Sequence, residues 1–329
     1  MSTLAPTLQA FFTERLLTQR RASPRTVAAY RDTFRLLLNY VQDQLGKAPS
    51  QLNITDLDAP LIGSFLSFLE HDRHNGIRTR NARLAAIHSL FRYAALRHPE
   101  HAHLIQRVLS IPSKRYESAV IDFLSADEVD ALLDSVDRAK WVGRRDYALL
   151  VLGIQTGLRL SEIAALVLDD LELGVGAHVR CHGKGRKQRS TPLTAQTVAV
   201  LRVWLQERGG APTDPVFPTL RGGPLSHDAV QWLVAKYTSL ATQRCPSLRA
   251  KKITPHVLRH TCAMNLLQSG VDVTVIALWL GHESVQTTQV YLHADMALKE
   301  RALARTAPPN TRPGRYRPSD KLLAFLEAL

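Results

Sequence analysis

Thr254-Pro255-His256-Val257-Leu258-Arg259-His260-Thr261 is the stretch on which the reading of this chain turns. A threonine followed by proline is a helix opener, with the proline at the first turn. On the helix that follows, His256, Arg259 and His260 fall at i, i+3 and i+4 and share one face. Three potential cations beside helix N-terminal amides suit an anion with tetrahedral or trigonal-bipyramidal oxygens. His256 and His260 also have the spacing of the zinc motif H-E-x-x-H, but Val257 stands where that motif needs glutamate. A metal site is therefore not expected.

Three more segments carry chemistry-bearing residues. Upstream, Thr156-Gly157-Leu158-Arg159-Leu160-Ser161-Glu162 places an arginine at the mouth of a helix, with an acid one turn later. The planar guanidinium of Arg159 matches two phosphate oxygens, and Glu162 can orient a neighbouring donor or serve the helix cap. Between these segments lies Gly183-Lys184-Gly185-Arg186-Lys187-Gln188-Arg189, a basic turn without the spacing of a P-loop. Downstream, Leu280-Gly281-His282 closes one helix. Ser284 then opens another, with Tyr291 two turns in.

Outward from these motifs the chain is mostly helical. Residues 7–19, 26–44, 59–72 and 77–97 show apolar residues at three- and four-residue spacing, as helices do. Ser23-Pro24 opens the second of these. Arg78, Arg80 and Arg83 recur around the fourth and offer a basic surface to a phosphate backbone. Periodicity lapses before residue 123. Ser125 and Glu128 then form a capping box at the head of a second helical unit. His178–His182 and Lys187–Pro192 read as a hairpin within it. The expected fold is mainly α with a small antiparallel β-sheet. Its expected domains are an N-terminal helical bundle at 1–110, a linker at 111–122, a second domain at 123–305 and a tail at 306–329.

Composition bounds the partner. The chain of 329 residues carries a net charge of +13. Residues 1–118 contribute +7 and the remainder +6, so both halves suit a polyanion such as duplex DNA. The sequence shows neither a membrane-spanning run nor a secretory leader, and its three scattered cysteines form no C-x-x-C pair. A cytoplasmic location is expected.

The four motifs, in this chain order, resemble the tyrosine recombinase family of phage integrases and Xer-type recombinases. Arg159 in T-G-L-R-L-S-E resembles the family's first arginine, with Glu162 as its acidic neighbour. Lys184 in G-K-G-R-K resembles the hairpin lysine, and His256 and Arg259 in H-V-L-R-H the second block. His282 in L-G-H resembles the last histidine, and Tyr291 the nucleophile. The resemblance covers about 124–305 and implies a catalytic domain there, with a SAM-like core-binding domain before it and a C-shaped clamp on DNA. It further implies a site-specific recombinase that cuts and rejoins strands through a covalent 3′-phosphotyrosine and a Holliday junction. Such an enzyme acts as a homotetramer on an inverted-repeat site, with or without a second recombinase, and serves integration, transposition or dimer resolution. Neither cofactor nor metal is implied. Arg78, Arg80, Arg83, Lys187 and Arg189 are the expected DNA contacts. His256 is a candidate for proton transfer at the tyrosine, though which histidine serves as base stays open. So does whether the apolar tail, Lys321 to Leu329, docks on its own protomer or on a neighbour.

Overall fold

A computed structural model describes residues 3–116, 121–182, 188–282 and 284–294. Lys184, Lys187 and the 306–329 tail lie outside the described residues. The chain divides into two compact units, Met1–Ser118 and Ala119–Leu329, taken here in turn.

The first unit is a helical bundle of α1 (Leu4–Ala10), α2 (Pro24–Leu45), α3 (Ala59–His71), α4 (Ile77–Ala95) and α5 (Ala102–Leu109). A π-helical stretch, Phe11–Gln19, continues α1. Local chemistry sets the boundaries. The Ser23 hydroxyl accepts from the Thr26 amide at the head of α2, and Gly46 ends that helix at φ 67°. Asp58 caps α3 by accepting from the Leu61 amide. The core gathers Phe11, Phe34, Leu37, Phe65, Leu84, Ile87 and Phe91. The short helix α5 was not expected from the sequence. It buries Ile105 and Val108, and its carbonyl at Val108 lies 3.1 Å from His88 Nε2.

The basic face of α4 is less open than its sequence suggests. Arg78 is exposed, with its guanidinium over the Tyr116 ring. Arg80 is only 6% exposed, and Nη1 donates to Asn81 Oδ1 and to the Pro112 carbonyl. Arg80 thus ties α4 to the segment after α5 and offers little surface for the expected phosphate contact. Arg83 is half-buried, and burial lowers its pKa.

The second unit runs α6 (Ala126–Asp134), α7 (Trp141–Thr156), α8 (Leu160–Ala165), β1 (Leu171–Glu172), β2 (His178–His182), β3 (Gln188–Pro192), α9 (Ala195–Arg208), α10 (His227–Ala241), α11 (Pro255–Gln268), α12 (Val273–Leu280) and α13 (Gln286–Ala294). Mostly helical with a three-stranded antiparallel sheet among the described residues, it has the class expected. The strands lie in the order β1-β2-β3, with Val179 paired to Leu171 on one side and to Thr191 on the other. The Ser125–Glu128 capping box forms, and Glu128 also accepts from Lys251 Nζ at 2.6 Å and from Ser247 Oγ. That buried acid joins the head of α6 to the segment leading into α11. The Thr261 hydroxyl on α11 accepts from the Leu124 amide, a second tie. The side chain of Thr254 makes no capping bond. Its carbonyl instead receives the Val257 amide behind Pro255. No helix among the described residues is long and apolar enough to cross a membrane.

Candidate active site

Two left-handed glycines build the frame of the site. Gly157 ends α7 at φ 63°, and a Cβ there would stand 2.7 Å from Leu280 Cδ2. Gly281 ends α12 at φ 64°, and a Cβ there would stand 3.1 Å from the Arg189 side chain. Only glycine takes both the dihedral and the contact without strain. The two turns thereby pack closely and expose the carbonyls of Gly157, Leu280 and Gly281 toward one centre.

Those carbonyls anchor the two arginines singled out in the sequence. Arg259 Nη1 donates to the Gly157 carbonyl at 2.7 Å, and Nη2 to that of Leu280 at 2.6 Å. Arg159 Nη2 donates to the next carbonyl, Gly281, at 2.6 Å, and its Nη1 to Glu162 Oε1 at 2.9 Å. Arg259 is 2% exposed, whereas the Arg159 side chain is 37% exposed and faces outward. Burial and then the nearby charge of Arg159 pull the Arg259 pKa down to about 10.

Glu162 is the hub. It accepts from the Arg159 amide at 2.7 Å and from Arg159 Nη1, and both Nη1 and Nη2 of Arg189 bond it at 2.7 and 2.8 Å. Burial alone would raise this carboxyl. The Arg189 bonds, the Arg159 amide and the two guanidinium charges outweigh it and hold the pKa at about 2. Arg189 Nε meanwhile donates to the Trp279 carbonyl at 3.0 Å. Every nitrogen of Arg189 is thus committed inward, and its side chain is 13% exposed. Arg189 therefore welds β3 to α8 and α12, which leaves little of its side chain open for the DNA contact expected of it. The alternation of β3 explains it: Arg189 and Thr191 turn inward while Gln188 and Ser190 turn out.

Around this frame stand three imidazoles and the phenol. Tyr291 is 2% exposed, packed with Cys262, Met264, Leu267 and Leu280. Burial pushes its hydroxyl up to about 12, against the pull of Arg259. His260 Nδ1 lies 2.9 Å from the Tyr291 hydroxyl. The His282 ring stacks with the Tyr291 ring at 6.5 Å between centroids, and His282 Nδ1 lies 2.7 Å from the buried Thr288 hydroxyl. Burial and then Arg259 hold His282 down at about 4. His256 is exposed at the edge, its ring 4.3 Å from that of His260.

Arg159, Glu162, His256, Arg259, His282 and Tyr291 are thus brought into one neighbourhood, with Lys184 outside the described residues. His260 was noticed on the sequence face it shares with Arg259 but was not assigned a part. Its contact to Tyr291 spans 31 residues of chain, a pairing no local pattern reveals. Chemically, the cluster offers paired guanidiniums for an oxyanion, a phenol nucleophile and neutral imidazoles to move its proton.

Comparison with known proteins fits this geometry. The Phage integrase family pattern matches residues 122–297, and the family's N-terminal SAM-like domain matches residues 10–98. A putative integrase/recombinase, y4rC, from Sinorhizobium fredii (strain NBRC 101917 / NGR234) is 54% identical over 328 residues, covering 100% of this chain and 99% of its own length. Tyrosine recombinase XerC of Xanthomonas campestris pv. campestris (strain B100) is 34% identical over 284 residues, covering 86% and 83%. Among solved structures, XerH recombinase bound to palindromic difH substrate in a post-cleavage complex superposes with a TM-score of 0.70 at 24% identity, covering 87% of this chain and 81% of that one. A lambda integrase dimer bound to a COC′ core site gives 0.62 at 16% identity, covering 87% and 97%. At such identities these two structures speak to the fold alone. The chain belongs to the phage integrase family of tyrosine recombinases, enzymes that cut and rejoin DNA strands in site-specific recombination.

Proposed function

We propose that Tyr291 attacks the scissile phosphodiester and holds the cut strand as a 3′-phosphotyrosine. The observation that carries this reading is the anchoring of Arg159 and Arg259 on the turns at Gly157 and Gly281, with the Tyr291 hydroxyl within reach of the Arg259 charge. A phosphodiester seated there supplies Arg259 with a counterion and adds a second to the Glu162 carboxylate already beside Arg159. The free N–H groups of the two arginines then neutralise the charge that grows on the nonbridging oxygens in the transition state. His282 adds a donor at the same edge, with Thr288 fixing its ring. Lys184 supplies the proton for the departing 5′-oxygen.

The paired guanidiniums provide the positive charge, so neither metal nor ATP enters the reaction. The phosphotyrosine conserves the bond energy for resealing. Because Tyr291 is sealed at 2% exposure, DNA binding must open its surroundings before the oxygen meets phosphorus. Pairs of such cuts, made by a homotetramer on inverted-repeat sites, lead to strand exchange through a Holliday junction, with or without a second recombinase. Of Arg78, Arg80 and Arg83 on α4, Arg78 is the one exposed to meet a phosphate.

The test is a nicked duplex that traps the cut strand on the protein. Tyr291→Phe is expected to bind this DNA with the affinity of the parent and to give no denaturation-resistant protein–DNA band. A covalent band from that variant would remove Tyr291 from the reaction.

A further inference from the structure

The histidine that touches the nucleophile is not the exposed member of the α11 pair. His260 Nδ1 lies 2.9 Å from the Tyr291 hydroxyl, while His256 is exposed and contacts the His260 ring. We propose that His260 is the catalytic proton acceptor for Tyr291, taking the phenol proton on Nδ1 during cleavage and returning it on ligation. This rests on the reading of Tyr291 as nucleophile.

The step balances within the site. The tyrosine oxygen forms its bond to phosphorus as its proton passes to Nδ1 of a neutral His260 that carries its own hydrogen on Nε2. The bond from phosphorus to the 5′-oxygen breaks, and that oxygen takes a proton from the Lys184 ammonium. Ligation runs the same transfers backwards and restores every group.

The surroundings suit a base that waits unprotonated. Charged and titratable neighbours face His260 from its own helix, His256 and Arg259, and from the segment after α12, His282 and Tyr291. Burial, then His256, Arg259 and His282, keep its pKa down at about 4, so its lone pair is available at neutral pH. A phosphodiester seated on the arginines brings negative charge to this centre and supports the imidazolium when it forms. The Arg259 charge opposes the upward push of burial on the phenol, while Cys262 adds to that push. The hydrogen bond also fixes where the oxygen points, so holding and activating the nucleophile fall to one side chain.

Single-turnover adduct formation on the trapping duplex, read from pH 6 to 9, separates these roles. Two substrates are used, one normal and one with sulfur in place of the leaving 5′-oxygen. Sulfur departs as a thiolate without needing a proton, so it relieves defects on the leaving-group side and leaves those on the tyrosine side. His260→Ala and His260→Asn are compared with Lys184→Ala. Asparagine keeps a polar atom near the Nδ1 position but is no base. Thermal melting and DNA affinity select whichever His260 variant folds as the parent does.

The proposal expects a loss of about 100-fold on both substrates at every pH of this range, where His260 is unprotonated throughout, and rescue of Lys184→Ala alone by sulfur. A loss below about tenfold in His260→Asn would overturn it, as would rescue of His260 variants by sulfur. Adduct from Tyr291→Phe in the same assay would instead strike the underlying assignment of the nucleophile.

Discussion

Replacing Arg189 by methionine tests whether this arginine is a structural weld or a DNA contact. Methionine keeps much of the side-chain length and removes the charge and three hydrogen bonds. Glu162, 3% exposed at its side chain, then keeps only the Arg159 amide and Arg159 Nη1. Its pKa of about 2, against 4.5 for the free group, corresponds to about 3 kcal/mol of stabilisation of the carboxylate at neutral pH. Removing one partner of a buried pair costs about 3–5 kcal/mol where nothing else remains. With Arg159 still in place, a loss of about 3 kcal/mol is expected for Arg189→Met. For a unit spanning Ala119–Leu329 that is a fall of about 6–12 °C in melting temperature. Trp141, Trp204, Trp232 and Trp279, all four tryptophans of the chain, lie in this unit, so intrinsic fluorescence follows it alone. The companion measurement is DNA affinity against salt. A weld leaves the slope of log K against log salt unchanged, whereas a lost phosphate contact lowers it by about 0.9. A melting shift below about 2 °C together with a reduced slope would refute the assignment.

Arg159→Ala should slow covalent adduct formation by about 100- to 1,000-fold, the effect of removing one transition-state donor, and unchanged single-turnover kinetics would show the residue to be only structural. The second unit should also weaken as the pH falls from 7 to 5. His260 and His282 are held near about 4 in the fold against 6.5 when free, so the unfolded chain binds the extra protons between those values. Glu162 adds its own loss from 4.5 down toward about 2. Denaturant midpoints that stay flat between pH 7 and 5 would contradict the buried, neutral state of the two histidines.

Much of this architecture could be read in advance because it is written locally. The Ser125–Glu128 box and the glycine stops at 157 and 281 depend on residues a few positions apart, and each forms. The short helix α5 escaped notice because eight residues behind Pro99 give little periodic signal, although Ile105 and Val108 carry it. Arg80 and Arg189 are more buried than the sequence suggests for one shared reason: a charged residue in a basic run looks solvated. Both could have been caught by period. Arg80 precedes Leu84, Ile87 and Phe91 on the buried stripe of α4, and Arg189 alternates with buried Thr191 on β3. The pairing of His260 with Tyr291 is of another kind. It arises from the packing of α13 against α11 and has no local trace.

Arg259 rests on two main-chain oxygens and Arg159 on one, and this choice of anchor has a consequence for the economy of the molecule. A carbonyl orients a guanidinium without cancelling its charge. The protein without DNA therefore carries mutual repulsion at its centre, which adds to burial in lowering the affinity of Arg259 for its own proton. Glu162 offsets part of that repulsion, and an anion of the right shape relieves the rest. Selection for a sturdier fold would favour neutral residues at these positions and, with them, an inert protein.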